Sequence, residues 1–460
     1  MSFAGNAVSK RQHSCLHYRI IYPNIQLIQK NILRKSFFGA PFFAVRPLVK
    51  PPECRRRSWH ADCFRKRATA PERRIMMTLD LRPIQAVDVH CHPYLQQTSP
   101  LSPAEFVRKL SLSVVPGMFQ TVERGHPKQP VPGTNMYTQI TIQRLAAYFG
   151  CDPVLEEVVA WRNWQASDPR AYTRALFRDA NIAGLLLDFG YPQPRLSGQA
   201  YADMTGVPYW EVYRIEPVMV RLRDECREFG SFAERYRADL REALRGERIL
   251  GLKTIIAYRS GLEIGPMDEQ AAAEEYAAFC SDPRAAVKAL RDYCLHVALE
   301  ECTAADKAMH IHTGVGDGEV VLTKANPACL LDLLRDKKYI DTKVHLVHGG
   351  YPWVEEAAFI VSVLPRVYLD ISLQNPFIGH GVERILSHVF EFAPFSKVMY
   401  GSDAFTLPEM NWLGVHLFKE CFTRVLEGWI ARDYMDADVA LHIAEGVLYR
   451  NFTEVYEIAW

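Results

Sequence analysis

Short apolar runs recur along the chain from residue 85 onward, and each is followed by a longer stretch in which apolar residues have helical spacing. This alternation is typical of βα units joined in a parallel sheet. The predicted strands are Ala86–His92, Ile182–Phe189, Glu211–Val218, Ile249–Tyr258, Ala308–His312, Lys343–His348, Arg366–Ile371 and Lys397–Asp403. Because these eight runs equal the strand number of a (β/α)8 barrel, we predict an α/β barrel fold.

Helical patterns separate several of these strands. They cover Phe232–Arg245, Pro283–Ala304, Pro327–Lys337, Pro352–Leu364 and Gly381–Phe392. The connection over residues 93–180 is far longer than a usual βα loop and contains three helical stretches of its own, Pro103–Leu112, Thr138–Phe149 and Pro153–Trp161. We expect this connection to form a helical cap insertion over the site, within a barrel that occupies residues 78–460.

The first 77 residues differ from the rest in charge. Residues 1–75 contain 16 basic and 3 acidic residues, which leaves 38 of the 54 basic and 50 of the 53 acidic residues for the remainder. Such a segment is expected to be mostly disordered. Two origins stay open: an organelle transit-like segment, or a true start at Met76 or Met77, which is the plainer explanation.

The composition of the remainder excludes several classes of partner. An excess of acidic residues is unsuited to a phosphate backbone, which is bound largely through Lys and Arg. No run approaches the roughly 18 apolar residues that a membrane span needs. The eleven cysteines are scattered, without a Cys-x-x-Cys pair, which favours reduced thiols. We expect a cytoplasmic protein with a small-molecule substrate and no nucleic-acid or membrane partner, and a homodimer would be compatible with the sequence.

Metal-ligand side chains stand at the ends of four predicted strands. His90 and His92 are two apart on the first strand and should point to the same side. His312 ends the fifth strand, His348 the sixth and Asp403 the eighth. Because active sites of such barrels form at the carboxyl ends of the strands, we predict that these side chains surround one site.

The motifs resemble the amidohydrolase superfamily, and more narrowly the amidohydrolase-related family (amidohydrolase 2) of hydrolases and metal-dependent decarboxylases. The resemblance runs from Asp88 to about Tyr449 and includes His-x-His, His-Thr-Gly, His-Gly-Gly and Gly-Ser-Asp on four strands. Residues 251–262 also resemble the module that is fused to a glutamine-synthetase-like domain in some larger proteins. The resemblance implies a TIM-like barrel with a helical insertion after the first strand.

It further implies that His90, His92, His312 and Asp403 hold a divalent ion. One Zn2+ is the first choice, although Mn2+, Fe2+ and Ni2+ suit the same donors. Asp403 would be catalytic as the base that takes a proton from a water acidified by the ion. His348 would be catalytic as a proton carrier or as a polariser of the substrate.

Four further residues are candidates for substrate binding. In binuclear members of the superfamily, a carbamylated lysine on the fourth strand bridges two metals, and Lys253 lies on that strand. We prefer an uncarbamylated Lys253 that binds an anionic substrate group or pairs with Glu216. Arg214 and Glu216 alternate on the third predicted strand, and Arg259 follows the fourth and could bind a carboxylate. An ion pair that braces the barrel is an equal alternative for these side chains.

Two other histidines have plainer interpretations. His310 lies two residues before His312, which favours a role behind the ligands or in the core over direct ligation. His345 lies three residues before His348, so on a regular strand it would point the opposite way. We expect His345 to be structural.

The preferred function is metal-dependent hydrolysis of a C–N bond of amide type in a small, acidic molecule. Non-oxidative decarboxylation of a small carboxylic acid is the alternative enzyme activity, and release of carbon dioxide would identify it. A catalytically inactive binding barrel is the third hypothesis. Every position from His90 to Asp403 that the resemblance requires carries a competent residue, which argues against this last hypothesis.

Overall fold

Eight parallel strands form the centre of the part of the chain that a computed structural model describes, residues 78–112 and 135–459. They are β1 (Ala86–Cys91), β2 (Ile182–Asp188), β3 (Tyr209–Arg214), β4 (Ile249–Thr254), β5 (Ala308–His312), β6 (Lys343–Val347), β7 (Val367–Asp370) and β8 (Val398–Met399). They pair in chain order, and hydrogen bonds from Val89 N to Tyr400 O and from His92 N to Ala404 O connect the segment after β8 to β1. The predicted barrel is confirmed.

Helices surround these strands. They are α1 (Pro103–Lys109), α2 (Met136–Phe149), α3 (Leu155–Gln165), α4 (Pro169–Asp179), α5 (Gly198–Thr205), α6 (Ile215–Glu225), α7 (Phe229–Leu244), α8 (Glu269–Ser281), α9 (Lys288–Ala305), α10 (Leu331–Arg335), α11 (Val354–Val363), α12 (Gln374–Phe377), α13 (Val382–Phe392), α14 (Pro408–Ala431), α15 (Ala437–Glu445) and α16 (Asn451–Val455). The predicted leader, residues 1–77, and residues 113–134 of the predicted insertion lie outside the described residues. None of the described helices has the length and apolarity that crossing a membrane requires.

The third predicted strand was too long. β3 ends at Arg214, and α6 begins at Ile215. Pro217 explains the difference, because it has no N–H to donate to a sheet and is well tolerated in the first turn of a helix. Glu216 therefore lies in the first turn of α6 and does not alternate with Arg214 on a strand as predicted.

The fourth predicted strand was also too long. β4 ends at Thr254, and a 3-10 turn over Ile256–Tyr258 follows it. The Thr254 hydroxyl accepts a hydrogen bond from the backbone N–H of Ile256 at 3.0 Å, which turns the chain out of the sheet. Arg259 consequently follows a turn, beyond the strand end on which it was predicted.

The interior of the barrel divides into an apolar and a polar part. The apolar cluster consists of Val87, Val89, Leu186, Val212, Leu250, Ala308, Met399, Phe452 and Tyr456. Leu250 and Ala308 lie near the starts of β4 and β5, and Phe452 comes from α16. The carboxyl ends of the strands instead carry buried histidine, lysine and aspartate side chains. This division leaves one end of the barrel for chemistry.

The described part of the insertion packs along the barrel through a buried ion pair. Arg162 on α3 donates from Nε to Glu409 Oε1 of α14 at 2.7 Å, and the Tyr172 hydroxyl of α4 donates to the same oxygen at 3.0 Å. Helix α4, which was not predicted, leads directly into β2.

Candidate metal centre

His90 and His92 stand at the carboxyl end of β1 and are both buried. Their Nε2 atoms lie 3.5 and 3.0 Å, respectively, from Oδ1 of Asp403. The other ring nitrogen of His92 lies 2.9 Å from the carbonyl oxygen of Asp188, which fixes the orientation of this ring. The structure thus brings together three of the four predicted ligands.

The position of Asp403 depends on contacts between the first and last motifs. Asp88 accepts hydrogen bonds from the Ser402 N–H at 2.9 Å and from Asn411 Nδ2 at 3.1 Å, and the Asp403 N–H donates to the His90 carbonyl at 2.8 Å. A Cβ at Gly401 would lie 2.8 Å from the Cβ of Ser372, so only glycine permits this approach. Asp88 and the Gly-Ser pair therefore position Asp403 beside the two histidines.

His312 and His348 complete the ring of imidazoles. The ring centroid of His348 lies 4.5 Å from that of His312 and 5.1 Å from that of His90. Nitrogen and oxygen donors of His90, His348 and Asp403 lie within 4.8 Å of one another, as do donors of His90, His92 and Asp188. His312 belongs to neither of these groups among the described residues, and its Nε2 lies 3.0 Å from the Val315 carbonyl oxygen.

A chain of hydrogen bonds orients His348. Its Nδ1 lies 2.8 Å from the Ser372 hydroxyl, which donates to the Asp370 carboxylate. The backbone of His348 is left-handed, with φ of 71°, and Gln374 donates to its carbonyl oxygen at 2.9 Å. This arrangement leaves Nε2 of His348 as the nitrogen that is free to act in the site.

Burial controls the charge of these groups. It lowers the pKa of His90, His312 and His348 well below the ordinary value, and Lys253 lowers the pKa of all three further. Burial also raises the pKa of Asp403, against the hydrogen bond from His92. Neutral imidazoles retain the lone pair that a metal requires.

A cavity of about 620 Å³ opens beside these side chains. Its volume lies within the range of small-molecule sites. His90, His92, His312, His348 and Asp403 line one part of it. Lys253, Arg214, Glu216, Arg259 and Arg291 line another part, and Tyr191, Phe405 and Leu112 supply apolar surface. Leu112 is the only described residue of the predicted cap insertion in this lining. Every residue predicted to bind metal or substrate thus adjoins one cavity.

Known proteins share this architecture. Residues 235–451 match the family model described as Amidohydrolase. Protein fluG of Emericella nidulans is 28% identical over 242 residues, which are 50% of this chain and 28% of fluG, so the chain spans less than a third of that relative.

Residues 235–451 thus resemble the amidohydrolase family. Solved structures agree in fold. A Lactobacillus casei ATCC 334 protein assigned as a metal-dependent hydrolase has a TM-score of 0.71 at 23% identity, with 82% of this chain and 96% of that chain covered. Glucuronate isomerase from Caulobacter crescentus has a TM-score of 0.57 at 15% identity, with 82% and 92% covered. At these identities the two structures attest to the fold alone.

The donors of this barrel fit a divalent metal ion. Imidazole nitrogens and carboxylate oxygens are the ligands that transition metals prefer at catalytic sites. Nδ1 of His90 is buried and has no hydrogen-bond partner, although buried polar atoms are normally satisfied. Nε2 of His90 and Nε2 of His92 both lie close to Asp403 Oδ1. A ring nitrogen of His348 lies within 4.8 Å of donor atoms of His90 and Asp403. The cluster can therefore hold an ion.

Lys253 is fully buried next to this cluster, and its amine has no hydrogen-bond partner. Burial lowers its pKa to about 8. The predicted pair with Glu216 is not formed, because Glu216 Oε1 accepts from Thr254 Oγ1 at 2.6 Å and from Ile255 N at 2.8 Å. The Lys253 amine therefore remains available to a ligand in the cavity.

Arg214 was predicted either to bind substrate or to form an ion pair within the barrel, and the structure shows the ion pair. Its Nε and Nη2 both donate to Asp188 Oδ2. Burial raises the pKa of Asp188, but Arg214, His92 and Lys253 together lower it to about 2. Arg214 lines the cavity with its charge already neutralised by Asp188.

His310 and His345 lie in the barrel core. Their rings stack at a centroid distance of 4.7 Å, and both rings hydrogen-bond to the Tyr456 hydroxyl. His310 forms no hydrogen bond with a predicted ligand, so it does not act behind the ligands in that way. His345 was expected to point away from His348, and this was wrong, since Asp370 and Ser372 link the two rings through hydrogen bonds. The left-handed backbone of His348 breaks the alternation of a regular strand.

Sequence reasoning missed Arg291. It lies in the first turn of α9, within a stretch that was interpreted only as a barrel helix. Nothing in the local sequence distinguishes it from a surface arginine. The apolar lining residue Phe405 was also missed, and its place two residues after Asp403 was the available signal.

Proposed function

We propose that this protein is a metal-dependent hydrolase that cleaves an amide-type C–N bond in a small molecule. The convergence of His90, His92, His348 and Asp403 on one side of the cavity carries the proposal. A divalent ion bound by His90, His92, His312 and Asp403 would supply Lewis acidity, which polarises a carbonyl and acidifies water. One Zn2+ suits these donors.

Within this site, Asp403 accepts the proton of the attacking water at its carboxylate. Its raised pKa favours that acceptance, since a stronger base holds a proton better. The water oxygen adds to the acyl carbon, the C–N bond breaks, and the proton passes to the departing amine. His348 donates from Nδ1 to Ser372, which leaves the lone pair of Nε2 to take up a proton and carry it to the leaving nitrogen.

The cavity supports a small substrate. Its volume of about 620 Å³ is too small for a folded polymer, and its apolar surface from Tyr191 and Phe405 would limit access of bulk water. We further propose that the protein acts in the cytoplasm without nucleic-acid or membrane partners, and that the barrel with its helical cap is the catalytic domain.

Hydrolysis in water enriched in oxygen-18 tests the proposal. The protein is first loaded with one equivalent of Zn2+ and then incubated with a panel of small amides, and the products are analysed by mass spectrometry. Hydrolysis places one labelled oxygen in the carboxylate product. Carbon dioxide release from a carboxylic acid panel would instead support the decarboxylase, and a metal-loaded protein without turnover would support the binding barrel. In a separate loading with excess Zn2+, two tightly bound metals per chain would assign Lys253 to a carbamate bridge.

A further inference from the structure

Arg291 is a buried cation that forms no ion pair with a carboxylate of the described residues. Its residue is 6% exposed, and its guanidinium lines the cavity beside the metal-binding cluster. Nη2 donates only to backbone carbonyls, those of Pro283 at 2.9 Å and Ala285 at 3.3 Å. No carboxylate of residues 78–112 or 135–459 forms an ion pair with it. Within the described residues, the charge of Arg291 is therefore not matched by a directly paired carboxylate, and the more distant Glu216 and Glu275 favour it.

Two other arginines with little exposure each form an ion pair with a buried carboxylate. Arg162 is 2% exposed and is paired with Glu409, and Arg214 is paired with Asp188. Buried charges in proteins are normally paired in this way, because an isolated one loses its hydration without replacement. Arg291 departs from this pattern at the one place where a ligand could supply the missing charge.

A second guanidinium lies near it. Burial, and next the proximity of Arg259, lower the pKa of Arg291, whereas Glu216 and Glu275 act to raise it. Arg259 itself reaches Glu319 only at 3.8 Å and donates to the Tyr258 carbonyl at 3.3 Å. Glu216 lines the same cavity, where its Oε1 accepts from Thr254 and Ile255 and its buried Oε2 has no hydrogen-bond partner. Within the described residues, the only ion pair that either guanidinium forms is thus the 3.8 Å contact between Arg259 and Glu319.

We propose that Arg291 and Arg259 form a subsite for a free carboxylate of the substrate, so that the preferred substrates are amides with a second, unreacting carboxylate. The proposal rests on the proposed hydrolase function for the amide, but the subsite itself is defined by the two guanidinium groups. Arginine suits this role because its planar donors match a carboxylate in two parallel hydrogen bonds. The unreacting carboxylate balances the charge and positions the acyl group toward the metal-binding cluster.

A matched pair of chromogenic amides tests the subsite. Glutaryl-4-nitroanilide and pentanoyl-4-nitroanilide have acyl chains of equal length and differ in the terminal carboxylate. We expect wild type to prefer the glutaryl compound about tenfold or more in kcat/KM, the range of a charge-assisted hydrogen bond. Arg291→Gln should reduce that ratio toward 1, and Arg259→Gln, whose side chain is partly exposed and less important for folding, should reduce it as well.

Arg245→Gln is the control, because Arg245 is exposed on the end of α7, pairs with Glu242 and does not line the cavity. It should leave both activities unchanged. A wild-type enzyme that hydrolyses the two anilides equally would overturn the subsite and leave the hydrolase standing.

Binding of glutarate separates failure of the subsite from failure of the hydrolase. Calorimetric titration of the metal-loaded full chain should show glutarate binding to wild type that is weakened about tenfold or more in Arg291→Gln and in Arg259→Gln. This result without anilide turnover would support the subsite and contradict the proposed hydrolysis. Equal affinity in wild type and both variants, or no binding to any of them, would overturn the subsite.

Discussion

The barrel contains two groups of buried histidines, one at the candidate metal site and one in the core. His90, His92 and His348 direct ring nitrogens toward Asp403 and line an open cavity. His310 and His345 are equally buried, but they stack on each other and bond to Tyr456 in the closed interior. Residue type and burial are therefore shared by both groups. Convergence of donor atoms on one carboxylate beside a cavity distinguishes the candidate ligands from the core histidines.

The comparison also explains why the core pair can support the site without joining it. Asp370 accepts from His345 through Oδ2 at 2.8 Å and from Ser372 through its other oxygen, and Ser372 contacts His348. The core pair thus terminates a hydrogen-bond chain that begins at the site. Changes in the ligand group should affect metal and turnover, whereas changes in the core group should affect stability.

The largest effect is expected at the carboxylate on which the ligands converge. Asp403→Asn removes a ligand charge and the proton acceptor, so kcat/KM for glutaryl-4-nitroanilide should fall about 10² to 10⁴-fold. Metal content, measured on the same preparation, should fall with it. Asp332→Asn, at an exposed position of α10, is the matched control and should change neither quantity. Full activity in Asp403→Asn would show that convergence does not identify the site.

A smaller effect is expected where the two groups connect. Ser372→Ala removes the partner of His348 Nδ1, which frees the ring to rotate, and kcat should fall about tenfold with KM and metal content unchanged. Ser387→Ala, which removes a hydroxyl that bonds to a carbonyl within α13, should leave kcat at the wild-type value. A loss of metal in Ser372→Ala would instead mean that His348 is itself a ligand.

The smallest effect on activity is expected in the core group. Tyr456→Phe deletes hydrogen bonds of 2.8 Å to His345 and 3.0 Å to His310. The free energy of unfolding, measured by denaturant titration, should fall by about 1–3 kcal/mol because buried partners lose their bond, while kcat/KM stays within about twofold. Tyr434→Phe, at a side chain that is 70% exposed, should change neither. A tenfold loss of activity in Tyr456→Phe would place the core group in the catalytic machinery.

The alternation of apolar runs and helical patterns predicted the barrel, because each strand is a short apolar run. Each of the four motifs lies at the end of such a run. The sequence could also place His90, His92, His312, His348 and Asp403 at strand ends, since alternation and strand direction are local properties. What it could not predict depends on backbone conformation and distant contacts. The left-handed turn at His348 overrode alternation.

Tertiary contacts account for the remaining differences. Pro217 ended a strand that the apolar pattern continued. Asp88 had no assigned role until its contacts with Ser402 and Asn411 were known. Arg291 became a candidate only because the fold buries it beside the cavity without a carboxylate partner. Its neighbours in the sequence carry no sign of that environment.

Metal content measured by mass spectrometry on wild type, His92→Gln and His310→Gln tests the central distinction most directly. The two variants make the same substitution at buried histidines of the same barrel, one beside Asp403 and one stacked in the core. We predict about one transition-metal ion per chain in wild type and in His310→Gln, and a loss of affinity of at least about tenfold in His92→Gln. Equal metal content in both variants, or no metal in wild type after reconstitution, would contradict the account.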